Sequence, residues 1–189
     1  MVPTGSIYSF QGHEPKIDPT AYVAPGSHII GRVTLEARVH VLFSCVLRGD
    51  GAPIHVGEGT NIQDNTTVHI DSPNPRLDRP GRPTIIGRNV SIGHNCMVHA
   101  CEIEDDVLIG IGAVVLSRAK IGRGSIVAAG AVVLEGMEVP PFSMVVGSPG
   151  RIKKTYDPEV VLPRIRRTAE NYQRRLLEFK EGLRALPAR

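Results

Sequence analysis

A six-residue period runs through most of this chain and leaves it few ways to fold. Aliphatic residues recur at Ile17, Val23, Ile29, Leu35, Val41 and Leu47, then at Val56, Ile62 and Val68, then at Ile86, Ile92 and Val98. From Ile103 they return in steps of six at Ile109, Val115, Ile121, Val127, Val133, Val139 and Val145. A small residue often stands four places later, as at Ser27, Cys45, Thr66, Cys96, Ala113, Ser125 and Ala131. Six is not a helical period, and no alternating run is long enough for the strands of a conventional sandwich. A short strand that points one aliphatic inward, followed by a turn, fits every step. Three periods of six close one triangular coil of 18 residues, and stacked coils pair in parallel at ~4.8 Å. The pattern predicts an all-β solenoid, a parallel β-helix of hexapeptide repeats.

Composition agrees. Only 4% of the chain is aromatic and there is no Trp, so the core must be aliphatic. The 20 Gly and 15 Pro are spread out, which suits many turns. A formal net charge of +3, with no basic patch interleaved with aromatics, gives no reason to expect nucleic acid. Three cysteines, Cys45, Cys96 and Cys101, without CxxC spacing argue against a disulfide framework. Cys45 and Cys96 hold small inward positions and read as core, while Cys101 falls in a turn. The N-terminal segment lacks a charged region followed by an apolar one, and no run approaches the ~18 apolar residues of a membrane span. The expected setting is the cytoplasm, with no membrane partner.

The period breaks three times. Leu47 to Val56 spans nine residues, so three are inserted near Gly49-Asp50-Gly51. Val68 to Ile86 spans 18, so a Pro-rich segment near 71–83 must project as a loop. Val98 to Ile103 spans five, a one-residue deletion. After GSPGRI the repeat stops. The expected division is a β-helix over 1–151 and a C-terminal helical segment over 152–189. Asp157 reads as N-cap and Pro158 as the first helical residue. Ile165, Tyr172, Leu176, Phe179 and Leu183 form an apolar stripe to pack on the prism. Pro163 could move the start by a turn.

The repeat gives each polar residue an address. Let the faces be one, two and three from Ile17 onward. Arg48, His69 and His99 each follow a face-three aliphatic directly, on successive coils. They should form one outward column at about one coil spacing, ~4.8 Å. Two histidines so placed can reach one metal ion through bonds of ~2.0–2.1 Å. Left unliganded, two cationic histidines ~5 Å apart would repel. His94 sits instead at the corner after face two, and extended chain puts it up to roughly 16 Å from His99. One chain therefore carries two half-sites: Arg48, Asp50, His69 and His99 in one, Gln63, Asp64 and His94 in the other. A three-fold trimer would join them. His13, His28, His40 and His55 read as ordinary solvated histidines. Asp64 and Arg48 read equally well as a subunit salt bridge or as catalytic groups.

These residues also carry a resemblance. The segments LRGD (47–50), NIQD (61–64), VH (68–69), IGHNCMVH (92–99) and GSPGRI (147–152) resemble those of γ-class carbonic anhydrase-like proteins, over nearly the whole chain. The resemblance implies a homotrimer of left-handed β-helices with zinc at each interface. It implies His69 and His99 from one subunit and His94 from the next as ligands, with Fe2+ or Co2+ as other acceptable ions. It implies an interface ion pair between Arg48 and Asp64, a water-positioning role for Gln63, and Asn61 and Asp50 flanking the site. Tyr172 is similar to a tyrosine that the C-terminal helix supplies in shorter members. The implied reaction is reversible hydration of carbon dioxide to bicarbonate through a water activated by the metal. The chain departs from the founding members in one respect: its insertion after Leu47 has no Glu to shuttle protons, and the 71–83 loop offers only Asp71 and Asp78. Two other classes compete. One is a hexapeptide-repeat acyltransferase or another coenzyme A thioester-acting enzyme, with a His as general base. The other is a non-catalytic metal-binding trimeric scaffold.

Overall fold

The computed structural model of the chain describes residues 5–77 and 80–186; Asp78 lies outside them. Every periodic aliphatic from Val23 to Val145 is buried in a single core, and Ile17 packs against its open end. Their strands stack in register and in parallel: Ile62 pairs with Ile92, Ile92 with Ile109, and Ile109 with Val127. Faces one and three together make a 12-stranded sheet, and face two an 8-stranded one. The fold is a left-handed parallel β-helix.

The corners explain the small residues. The third residue after an inward aliphatic takes a left-handed backbone, as at Gly26 (φ 78°), Asn65 (60°) and Asn95 (56°). Gly and Asn accept that conformation at least cost. The inward small residues join one coil to the next. Thr66 Oγ1 donates to the Gly93 carbonyl at 2.9 Å and accepts from the Cys96 amide at 3.2 Å. Cys45 and Cys101 are free and buried, and burial pushes each thiol up to about 12. Cys101 lies in the connection before Glu102–Ile103, as expected, and its side chain is also buried, because it stands two residues before Ile103 as Cys45 does before Leu47.

The three-residue insertion is a bulge within an extended strand, Val46–Val56, rather than an excursion from it. Gly31 pairs with Gly49 and Val33 with Ile54, so Arg32 faces four residues. The longer insertion does project. It carries a short 3-10 turn, Pro75–Leu77, and closes at its base where Asp71 and Arg82 exchange backbone hydrogen bonds of 3.1 and 2.9 Å.

The strand Arg151–Thr155 folds back antiparallel on Ser143–Val146 and ends the solenoid. The helix Pro158–Gly182 follows, capped by Asp157, whose carboxylate accepts from the Glu159 amide at 2.8 Å. Pro163 lies inside it without moving its start. The helix covers face two through buried Val161, Ile165, Ala169 and Leu176. Val161 and Ala169 were not in the expected stripe. A buried carboxylate clamps it: Asp106 accepts from Arg166 Nε and Nη2, each at 3.0 Å, and from Arg123 Nη2 at 3.0 Å. Burial alone would raise the Asp106 pKa, but the bonds from Arg166 and Arg123, and then their charges, hold it below the usual carboxylate range.

His40 corrects the sequence reading. It is fully buried, not solvated, because its outward position on face two lies beneath the helix. Tyr22 and Phe179 pack on its ring at 5.5 and 6.1 Å, and among the described residues neither ring nitrogen has a well-aligned hydrogen-bond partner, the Tyr172 backbone carbonyl being only nearby. Burial pushes its pKa down to about 4, with the Tyr172 backbone carbonyl and Asp64 opposing and Lys180 adding to the fall.

Two predictions follow from the helix contacts. The unfolded chain protonates His40 near the ordinary ~6.5, before the folded chain does, so stability is whole above that pH. It should fall by roughly 3 kcal/mol on acidification toward about 4. Urea unfolding at pH 7 and pH 4.5 should show a smaller pH effect in His40→Leu than in the natural chain. Asp106→Ala takes the shared acceptor from Arg166 of the helix and Arg123 of the coil and should cost about 1–3 kcal/mol. Hydrogen exchange should locate the loosening in the helix and not in the coils.

Candidate metal centre

The parallel ladder sets the first half-site. His69 and His99 are paired residues on adjacent strands, Thr67–His69 and Met97–His99. Their ring centroids lie 5.2 Å apart, and His69 Nδ1 is 3.2 Å from His99 Nε2. The bulge brings Asp50 to this column, where its Oδ1 sits 3.0 Å from His69 Nε2 and its Oδ2 pairs with Arg48. Burial works to raise the Asp50 pKa, but the bonds from His69 and Arg48 and the Arg48 charge leave it lowered. Asp50 is therefore an ionised acceptor. On the far side of the column, His99 Nδ1 lies 2.9 Å from Ser117 Oγ.

These contacts fix tautomers. An ionised carboxylate only accepts, so His69 carries its proton on Nε2 and presents a bare Nδ1. Burial lowers the His99 pKa, Asp71 opposes, and His69 and Arg48 lower it further, so His99 is a neutral ring at pH 7. With Nδ1 turned to Ser117, its Nε2 faces His69 Nδ1. At that distance the two nitrogens either share one proton, with His99 Nε2–H donating to His69 Nδ1, or, both bare, face a cation between them. Two bonds of ~2.0–2.1 Å at a tetrahedral angle would hold their nitrogens ~3.4 Å apart, close to what is seen. The donor set fits a zinc-type ion.

The second half-site is built on the corner after face two. His94 stacks over Asp64, and its Nδ1 lies 2.7 Å from Asp64 Oδ2, leaving Nε2 unengaged by that carboxylate. The other oxygen, Asp64 Oδ1, accepts from the Phe43 amide at 3.2 Å. Beside them Gln63 Nε2 donates to Asn61 Oδ1 at 3.1 Å, and Asn61 Nδ2 donates to Ser91 Oγ at 2.8 Å. Both amides are buried. Tyr172, on the helix, is half-buried close enough to Asp64 for that charge to act on it. Burial first, then Asp64, raise its pKa above the ordinary 10, and Arg175 opposes them.

Within one chain the structure thus joins Arg48, Asp50, His69 and His99, and separately Asp64, His94 and Tyr172, with Gln63 and Asn61 adjoining. It does not pair Arg48 with Asp64. Among the described residues of one chain, no group of three His, Cys, Asp or Glu side chains is arranged to hold a metal. The sequence reading missed Ser117, although it stands two residues past the next face-three aliphatic, Val115.

Known proteins share this architecture. Residues 100–135 match the family model for the bacterial transferase hexapeptide, six repeats. Gamma carbonic anhydrase 1, mitochondrial, of Arabidopsis thaliana is 40% identical over 84% of this chain, and the chain spans only 56% of that relative's length. A carbonic anhydrase of Geobacillus kaustophilus is 36% identical over 85% of each protein. The chain belongs to the γ-class carbonic anhydrase-like family. A crystal structure from Bacillus cereus, described as a candidate acetyltransferase, superposes with a TM-score of 0.85 at 30% identity and covers 94% of this chain and 98% of its own. The γ-class fold is therefore shared by proteins named for two different chemistries.

One neighbour relation is directly measurable. Asp64→Asn should bring the Tyr172 hydroxyl pKa down but leave it above 10, because burial is the larger cause. Tyrosine NMR across an alkaline titration reads that shift.

Proposed function

We propose that the chain forms a homotrimer holding one zinc-type ion at each interface, and that it hydrates carbon dioxide reversibly to bicarbonate. His69 and His99 of one subunit and the partner subunit's His94 would hold the ion. The observation that carries the reading is the pair of imidazole nitrogens 3.2 Å apart on one face, with the third histidine held by its own carboxylate on a different corner. Exposed apolar side chains around both half-sites support burial against a second copy: Met97, Ile111 and Leu134 are 37%, 56% and 45% exposed. Ile111 continues the corner column above His94, and Leu134 continues the face-three column.

When bound, the metal would lower the pKa of a water far below that of bulk water, toward ~7. Three protein ligands would leave it an open position, whereas a structural zinc site usually has four. The chain's own residues have separable tasks. Gln63, fixed by Asn61, orients the water. Arg48, freed from Asp50, or shared with it, pairs with the partner subunit's Asp64 and sets the registration of the subunits. Tyr172 stays protonated at neutral pH and can donate to a substrate oxygen. Asp50 is the acid nearest the column and stands where the founding members carry their shuttle segment.

A second reading, acyl transfer from a coenzyme A thioester, is favoured by the hexapeptide transferase model and the Bacillus cereus structure. It needs no metal and gives no task to the tautomers of three separate histidines.

The two readings part on metal and on sharing. The purified chain, loaded with zinc, iron or cobalt, should retain about one ion per subunit, and His94→Ala should lose both ion and hydration activity. Mixed trimers of His94→Ala and His99→Ala chains should regain part of both, because some interfaces then carry a complete site. Failure to retain any of these ions would remove the metal reading. Retention without hydration would remove only the carbonic anhydrase reaction.

A further inference from the structure

We propose that Ser117 and Asp71 are positioning residues for His99, holding its imidazole as the Nδ1–H tautomer and bringing the first residue of the projecting loop to the metal site. The proposal rests on the metal reading above, and it concerns a different question: what makes His99 a competent ligand.

The three histidines meet their carboxylates differently. His69 and His94 touch theirs directly, at 3.0 Å from Asp50 and 2.7 Å from Asp64. For His99 the nearest carboxylate oxygen, Asp71 Oδ1, is 3.6 Å from Nδ1, too far for a good direct hydrogen bond. Ser117 Oγ stands between them, 2.9 Å from Nδ1 and 3.2 Å from Asp71 Oδ1. A carboxylate can only accept, so the single hydroxyl hydrogen of Ser117 goes to Asp71. The hydroxyl then has only lone pairs to offer His99, and Nδ1 must be the nitrogen that carries the proton. Nε2 is left bare and points to His69. Remove the hydroxyl and the remaining partners oppose each other, His69 Nδ1 at 3.2 Å favouring a proton on Nε2 and Asp71 at 3.6 Å drawing it only weakly to Nδ1.

Asp71 is placed by the loop itself. It is the loop's first residue, and its backbone is paired in both directions with Arg82 at the loop's other end. The twelve-residue insertion therefore closes on the residue that orients His99. Partners of this kind behind a ligating histidine typically affect metal affinity 10–100-fold.

The test uses the full chain, with its oligomeric state checked for every variant. Histidine 15N NMR of the metal-free protein should show His99 as the Nδ1–H form, a mixture of tautomers in Ser117→Ala, and the natural form again in Ser117→Thr. Zinc competition against a chromogenic chelator should give Ser117→Ala and Asp71→Ala affinities about 10–100-fold weaker, with Ser117→Thr close to the natural chain. If the natural chain binds zinc and both alanine variants bind it equally well, the positioning role is overturned and the metal site stands. If Ser117→Thr loses as much affinity as Ser117→Ala, packing at this position and not the hydroxyl is responsible, and the role is again overturned. If the natural chain takes up no metal, both proposals fall together.

Discussion

Everything in this molecule depends on the vertical alignment of one buried aliphatic per six residues. Because strands pair in parallel and in register, Ile62, Ile92 and Ile109 stack directly over one another. A slip of one residue would turn every inward aliphatic out. The register is therefore strongly specified, and each outward position acquires a fixed neighbour one coil away. Histidines 30 positions apart in sequence become paired residues in space only because this core does not slip.

That rigidity also divides the candidate site. A column on a flat face and a column on a corner point in different directions, and no rotamer brings them together. His69 and His99 share a face, while His94 shares a corner with Asp64. In the proposed trimer, the corner of a second copy would meet this face and close the gap. The exposed apolar residues that extend both columns fall where that contact would bury them.

Much of this was legible beforehand, because period and address are properties of sequence alone. The inward residues, the three faces and the two half-sites all follow from counting in sixes. What escaped depends on contacts between distant segments. His40 has an outward address, and only the packing of the helix on face two makes it buried. The Asp106 clamp needs Arg166 from 60 positions away, and nothing in the repeat announces it. Ser117 looks like one turn residue among many until the loop delivers Asp71 to it. Cys101 keeps its place in a turn, but its burial shows only when its position is counted back from Ile103, across the deletion. The resemblance named an ion pair between Arg48 and Asp64, and a single chain offers each of them a different partner, Asp50 and His94.

The irregularities share a physical logic. A strict hexapeptide repeat can place histidines in a column, but it sets their backing groups only among residues of the neighbouring coils. The regular corner does supply Asp64 to His94. The other two histidines take their carboxylates from departures in the period. The three-residue bulge turns Asp50 toward His69, and the twelve-residue insertion begins at Asp71, which reaches His99 through Ser117. An unbroken solenoid would keep the same imidazoles but leave His69 and His99 without a carboxylate partner. The breaks leave the core intact, because every aliphatic on either side of them remains buried. They add acids at the two places where the column needs a defined proton. The period thus holds the scaffold and backs His94, while its interruptions bring the carboxylates that, in the proposed site, would set which nitrogen His69 and His99 present.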